Sequence, residues 1–271
     1  MQTSRMDHVI MHNNAEPNPW IACHEPNPVA RLRLFCFSYA GGGASTFYSW
    51  AKELPSDIET VGIQMPGIET RIMEPPVTSI SSVIQELAPA LYPKLDRPFS
   101  FFGHSLGALI SFELTRELLK HYQCQPIRLF VSGNPAPQIP DSYPPIHDLP
   151  ETEFLEELRH RYNGIPEEIL ENHDLLQLLL PGLKASHKMY ESYHYITGDP
   201  INCGITAFGG LQDNTVNDED IEAWRHQTKG TFALHMIPGN HFFIHSEKEY
   251  FLRILFRELT DILSGLNQMD S

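Results

Sequence analysis

Basic residues are scarce in this chain. There are 19 Lys and Arg against 34 Asp and Glu, a formal net charge of −15 over 271 residues. So acidic a chain is a poor candidate for sequence-independent nucleic-acid binding, which needs cations to neutralise phosphates. The charge reads as solubility. Cysteine is scarce too: Cys23, Cys36, Cys124 and Cys203 are scattered without C-x-x-C spacing. That argues against a disulfide framework and against a zinc cluster. Cys36 and Cys203 sit in apolar runs and read as core thiols. No apolar stretch approaches the ~20 residues of a membrane span. The opening "MQTSRMDHVIMHNN" has no signal-peptide apolar region. The expected setting is a reducing cytoplasm, with no membrane and no nucleic-acid partner. No internal repeat is visible.

What is abundant is apolar sequence, at 41%, and proline, at 22 residues. Residues 1–28 are polar and rich in Pro and Asn, and they predict an irregular arm in which only Trp20 and Ile21 can pack. Structure then begins sharply. "RLRLFCFS" (31–38), "TVGIQ" (60–64), "FSFFG" (99–103), "IRLFVSG" (127–133), "ITAFGG" (205–210) and "FALHMI" (232–237) read as strands. Most are short apolar runs rather than clean alternations, as parallel strands covered on both faces should be. Helical patterns lie between them. Phe47, Trp50, Ala51 and Leu54 share a face, and so do Ile80, Val83, Ile84, Leu87 and Leu91. Ser246 and Glu249 have the spacing of a capping box ahead of a last helix carrying Tyr250, Phe251, Ile254 and Leu255. Alternating strand and helix implies an α/β fold with a mostly parallel, doubly wound sheet.

About seventy residues between "IRLFVSG" and "ITAFGG" break the alternation, too many for a crossover. The division expected is an arm at 1–28, a core of 29–135 and 201–271, and a helical insertion at 136–200. Its helices are "ETEFLEELRHRY", "PEEILEN" and "DLLQLLLPGLKASHKMYESY", the last interrupted at Pro181-Gly182. Leu175, Leu176, Leu178, Leu179, Leu180 and Leu183 are too many apolar residues for one helix face. Some of them must therefore leave the sheet side, either to pack on neighbouring helices of the insertion or to line an apolar pocket above Ser105.

Gly103-His104-Ser105-Leu106-Gly107 is G-x-S-x-G placed after a strand and before a helix. The motif is weak alone and much stronger in that context. There the Ser sits on a strained turn, with its oxygen projecting from the end of the sheet. A serine needs a base, and the base needs an acid; on this fold the order is Ser, acid, His. "ITAFGGLQDNTV" supplies Asp213 just past a strand. Asp218 and Asp220 are rivals, but "NDEDIEAW" reads as a helix start where acids cap. "FALHMIPGNHFFIHS" supplies His241, with His245 as the nearest rival. His104 adjoins the nucleophile and reads as a packing or turn-orienting residue. Oxyanion donors are expected from the N–H groups of Leu106 and of Ala40, in the Gly-rich loop "FSYAGGGAS". That loop has neither the G-x-x-x-x-G-K-[ST] nor the G-x-G-x-x-G pattern of a nucleotide site. The expectation is a serine hydrolase of the α/β-hydrolase fold with no metal and no bound cofactor.

"RLRLFCFSYAGGGASTFYSW", "QMPGIETR", "FFGHSLGALISFEL", "AFGGLQD" and "PGNHFFIHS" together closely resemble the type II thioesterases of nonribosomal peptide and polyketide synthases, over about residues 20–263. The resemblance implies hydrolysis of acyl or aminoacyl groups from phosphopantetheine on carrier domains, which would be the partners. It implies nucleophile Ser105, acid Asp213, base His241, oxyanion donors Ala40 and Leu106, and a mobile lid over about 136–200. One departure is visible. The family usually reads P-G-R-E where this chain has Pro66-Gly67-Ile68-Glu69, so any role of that Arg is absent or falls to Arg71. A small-ester hydrolase or an acyltransferase is the alternative enzyme. A non-catalytic binding module would show a missing triad member, and none is missing.

Overall fold

The structure, a computed structural model, describes residues 18–162 and 170–269. Residues 1–17 of the expected arm, and most of the expected helix "PEEILEN", lie outside the described residues. The strands are β1 (Ile21–Ala22), β2 (Leu32–Phe37), β3 (Ile58–Ile63), β4 (Phe99–His104), β5 (Arg128–Ser132), β6 (Gly204–Gly210) and β7 (Phe232–Ile237). They form one sheet in the order β1-β3-β2-β4-β5-β6-β7. Every pairing is parallel except β1 with β3. The six longer strands fall on the six apolar runs. β2, β3 and β4 are buried at every position, so neither face could carry an alternating pattern. The arm is not wholly irregular: Ile21 pairs with Ile63, and Trp20 is buried with the Arg71 guanidinium 4.7 Å over its ring. A two-residue strand is too short to leave a period in the sequence.

The helices are α1 (Trp50–Glu53), α2 (Ile80–Leu91), α3 (Leu106–Glu117), α4 (Glu151–Tyr162), α5 (His173–Glu191), α6 (Asp218–Glu222), α7 (Phe243–Ser246) and α8 (Lys248–Met269). One face of the sheet packs on Val83 and Leu87 of α2 and Leu109 and Phe112 of α3. The other packs on Trp50 and on Phe251, Leu255 and Leu259 of α8. These two layers make the sheet doubly wound, and Cys36 and Cys203 are buried free thiols within them. The apolar face around Phe47 and Trp50 is not one helix but a 3-10 turn, Ala44–Phe47, followed by the single turn α1. Nor does Ser246 cap the last helix: it ends α7, the chain bends at Glu247, and α8 begins at Lys248.

Within 136–200, α4 and α5 build a core of their own from Ile146, Phe154, Leu158 and Leu180. Pro181 does not interrupt α5, which runs unbroken past it. Proline leaves a carbonyl one turn back without its helical partner, and packing must compensate. The glycine beside it has a contact role. A Cβ on Gly182 would lie 2.5 Å from the Gly67 carbonyl oxygen, so α5 rests directly on the loop after β3. Among the described residues no helix is long and apolar enough to cross a membrane.

Candidate active site

The parallel strands point their C-terminal ends one way, and three candidate residues follow three of them. Ser105 follows β4, Asp213 follows β6 and His241 follows β7. Ser105 has φ 54° and ψ −121°, a conformation that costs a non-glycine residue free energy and turns its side chain away from the helix it starts. The turn is held from below. The Ser105 N–H donates to the Ser132 carbonyl on β5 at 2.7 Å. The flanking glycines are required by close approach of backbone. A Cβ on Gly103 would lie 2.1 Å from the Gly107 oxygen, and one on Gly107 would lie 2.2 Å from the Phe37 oxygen. Both obstacles are main chain and cannot rotate aside. Gly107→Ala should therefore push α3 off β2 and lower the unfolding free energy in urea by about 3 kcal/mol. An unchanged denaturation midpoint would show that the contact yields.

His241 is buried, and its Nδ1 lies 2.8 Å from Asp213 Oδ2. Asp213 Oδ1 accepts from the Thr215 N–H at 2.9 Å and from the Thr215 hydroxyl at 2.7 Å. Burial alone would raise the Asp213 pKa. The hydrogen bond and charge of His241 and the two Thr215 donors outweigh it, and the carboxyl stands below its ordinary value. Asp213 is therefore ionised and pairs with the ring nitrogen facing it, which leaves Nε2 for other work. The rivals lie elsewhere: Asp218 and Asp220 occupy the first turn of α6, where Asn217 accepts from the Asp220 N–H. Thr215 was not anticipated. Its signal was present, since Asp-Asn-Thr is a sequence in which an Asp side chain can bind the N–H two residues on.

His104 is fully buried and does not line the cavity. Its Nδ1 pairs with the Ser132 hydroxyl at 2.9 Å, and burial pushes its pKa well down, so it is a neutral packing residue under the turn. Gly133 makes room for the ring; with a Cβ, it would approach His104 Cε1 to 2.7 Å.

Ser105, Leu106, Ala40 and His241 line one cavity of about 810 Å³. Leu106 is the first residue of α3, whose opening N–H groups point toward its N-terminus. Ala40 enters the Gly41–Gly43 loop. The roof comes from 136–200: Leu158 and Tyr162 of α4, and Leu176, Leu179, Leu183 and His187 of α5. Leu180 joins the insertion's own core instead, while Leu175 and Leu178 are exposed. Tyr162 packs its ring 5.0 Å from that of His241, a contact the sequence did not signal. Burial pushes His187 down to about 4, so it faces the cavity uncharged. Ile68 lines the cavity, whereas Arg71 is buried under Trp20 and bonded to Glu74 and the Gln64 carbonyl. Arg71 therefore does not put a cation into the cavity. Among the described residues, no three His, Cys, Asp or Glu side chains gather as a metal ion would need.

The thioesterase domain family matches residues 32–259. A Brevibacillus parabrevis protein, linear gramicidin dehydrogenase LgrE, is 45% identical over 94% of this chain and 98% of its own. The gramicidin S biosynthesis protein GrsT of Aneurinibacillus migulanus is 43% identical over 92% of this chain and 97% of its own. Among solved structures, the type II thioesterase BorB from the borrelidin biosynthetic cluster superposes with a TM-score of 0.82. It is 30% identical and covers 91% of this chain and all of that one.

Proposed function

The chain belongs to the thioesterase domain family and is a thioester hydrolase of the type II class, and from that premise we propose that it frees carrier domains of nonribosomal peptide or polyketide synthases from acyl and aminoacyl groups held on phosphopantetheine. The observation that carries this reading is the Asp213–His241 pair opening, with Ser105, onto one mostly apolar roofed cavity. Ser105 Oγ attacks the thioester carbonyl while His241 takes its proton. The tetrahedral oxyanion is met by the N–H groups of Ala40 and Leu106. The C–S bond breaks, the pantetheine sulfur leaves with the proton from His241, and the acyl group stays on Ser105. Water, deprotonated by His241, then attacks the ester. The carboxylic acid departs and Ser105 regains its proton.

The segment 136–200 serves as a lid in this reading, because its described residues in α4 and α5 roof the cavity and α5 rests on the loop after β3 through Gly182. The enzyme works in the cytoplasm, where carrier domains are loaded. A dehydrogenase reaction of the kind named for the Brevibacillus relative, run on a bound dinucleotide, is not favoured. The loop after β2 reads Gly-Gly-Gly-Ala-Ser-Thr and lacks the third glycine of the fingerprint. An ester hydrolase or acyltransferase would use the same triad, and substrates separate them. Incubation with an acyl-carrier protein is expected to remove the acyl mass and leave phosphopantetheine attached, as read by intact-protein mass spectrometry. A carrier whose mass does not change, under conditions where a p-nitrophenyl ester is cleaved, would reject the carrier-domain reading.

A further inference from the structure

The Gly41–Gly43 loop presents a physical problem. Three consecutive glycines give a backbone with the most freedom to lose, yet an oxyanion donor acts only if it is held in place beforehand. Side chains at the two ends of the loop meet that need.

At the entry, Tyr39 directly precedes Ala40. Its hydroxyl lies 3.0 Å from His245 Nε2, a contact across 206 residues, and its ring packs on Phe242 at 5.0 Å. Burial, with Lys248 nearby, holds the His245 pKa below its ordinary value, and burial raises that of Tyr39. A hydrogen bond thus joins an uncharged imidazole and an uncharged phenol. His245 sits on α7, four residues after His241. The entry to the loop is therefore tied to the segment that carries the base. At the exit, Glu69 accepts from the Ser45 hydroxyl at 2.5 Å and from the Ser45 N–H at 3.2 Å. It lies so close over Gly43 that a Cβ there would meet its carboxyl carbon at 2.2 Å. Glu69 adopts φ 46°, strained for a residue with a side chain.

We propose that Tyr39 with His245, and Glu69 with Ser45, are positioning residues that clamp the Gly-rich loop at both ends so that the Ala40 N–H meets the oxyanion. The inference rests on the hydrolase reading of Ser105. Tyr39, His245, Ser45 and Glu69 also line the cavity, but the role assigned to them does not require contact with the acyl group. Both pairs act through the loop, and their loss should appear in the rate of acyl transfer to Ser105 rather than in substrate binding.

The test uses the full chain and an acyl-N-acetylcysteamine thioester, which has no carrier domain. Removing an oxyanion donor costs about a hundredfold or more, so letting one drift should cost about tenfold. Tyr39→Phe is expected to lower kcat about tenfold with KM unchanged within about twofold and a thermal midpoint within about 2 °C of wild type. His245→Phe should lose the same amount, and the double variant no more than either alone, because they break one bond. Glu69→Gln, which keeps an acceptor for Ser45, should retain most of kcat, whereas Glu69→Ala should lose about tenfold. Full kcat in Tyr39→Phe, additive losses in the double variant, or a loss confined to KM would each overturn the proposal. Turnover by Ser105→Ala, run alongside, would instead defeat the hydrolase reading on which the clamp depends.

Discussion

Ser105→Ala is expected to reduce thioester turnover by about a million-fold and to leave the fold as it is. The two halves of that expectation have separate grounds. Turnover falls because the triad acts as a unit: without the oxygen, His241 has no proton to take and Asp213 no charge to steady. What survives is the stabilisation given by binding and by the oxyanion donors. The fold persists because the side chain at 105 makes no capping bond to α3. The strained turn is imposed by the backbone contacts of Gly103 and Gly107 and by the bond from the Ser105 N–H to Ser132. Alanine inherits these unchanged. The strain at φ 54° is as large for alanine as for serine, so the thermal midpoint should stay within about 2 °C. A variant that turns over an acyl thioester at more than about a hundredth of the wild-type rate would remove Ser105 from its assigned role.

The parts of this molecule that were legible in the sequence are those whose cause is local. The strands could be read because burial on both faces leaves continuous apolar runs, such as Leu34–Phe37. Ser105 could be read because two glycines, a strand and a helix all stand within a dozen residues of it. That Asp213 and His241 each follow a strand could be read because turn residues end the apolar runs just before them. Long-range facts were not legible. Nothing near Tyr39 announces His245, 206 residues away, and nothing near Tyr162 announces that it packs on His241. Arg71 was a natural candidate for the cation missing at Ile68. Only the placement of Trp20 and Glu74 shows that its guanidinium is already engaged. Two local rules were overridden by packing. Pro181 stays inside a helix because α5 is pressed between the insertion's own core and the Gly67–Ile68 loop. Ser246, with the right partner three residues on, does not cap α8 because the short helix α7 has already claimed it.

Asp213→Asn should lower kcat by roughly ten-thousand-fold with the structure preserved. The substitution is close to isosteric, and an Asn oxygen can still accept from the Thr215 N–H and hydroxyl, so the loop after β6 keeps its shape. What changes is the face turned to His241. The carboxylate oxygen 2.8 Å from Nδ1 accepts a hydrogen bond from the Nδ1–H and leaves Nε2 with a lone pair to take a proton from Ser105. If an amide nitrogen stands in its place, it can only donate. The imidazole must then carry its proton on Nε2, and it has no lone pair for the serine. The positive charge that develops on the ring during attack also loses the buried anion that offsets it. The pair is well shielded, with the Asp213 side chain fully buried and the His241 side chain 6% exposed, so water cannot replace what is lost. Asp218→Asn and Asp220→Asn are the controls. Both residues sit in the first turn of α6, and neither lines the cavity. Each should change kcat by less than about twofold and cost at most a few tenths of a kcal/mol in stability, as expected for a charge near a helix N-terminus. Steady-state rates of all three variants on one acyl thioester decide the assignment. If Asp218→Asn or Asp220→Asn were the crippling change and Asp213→Asn the mild one, the acid would have to be reassigned. The short contact between Asp213 and His241 would then be structural.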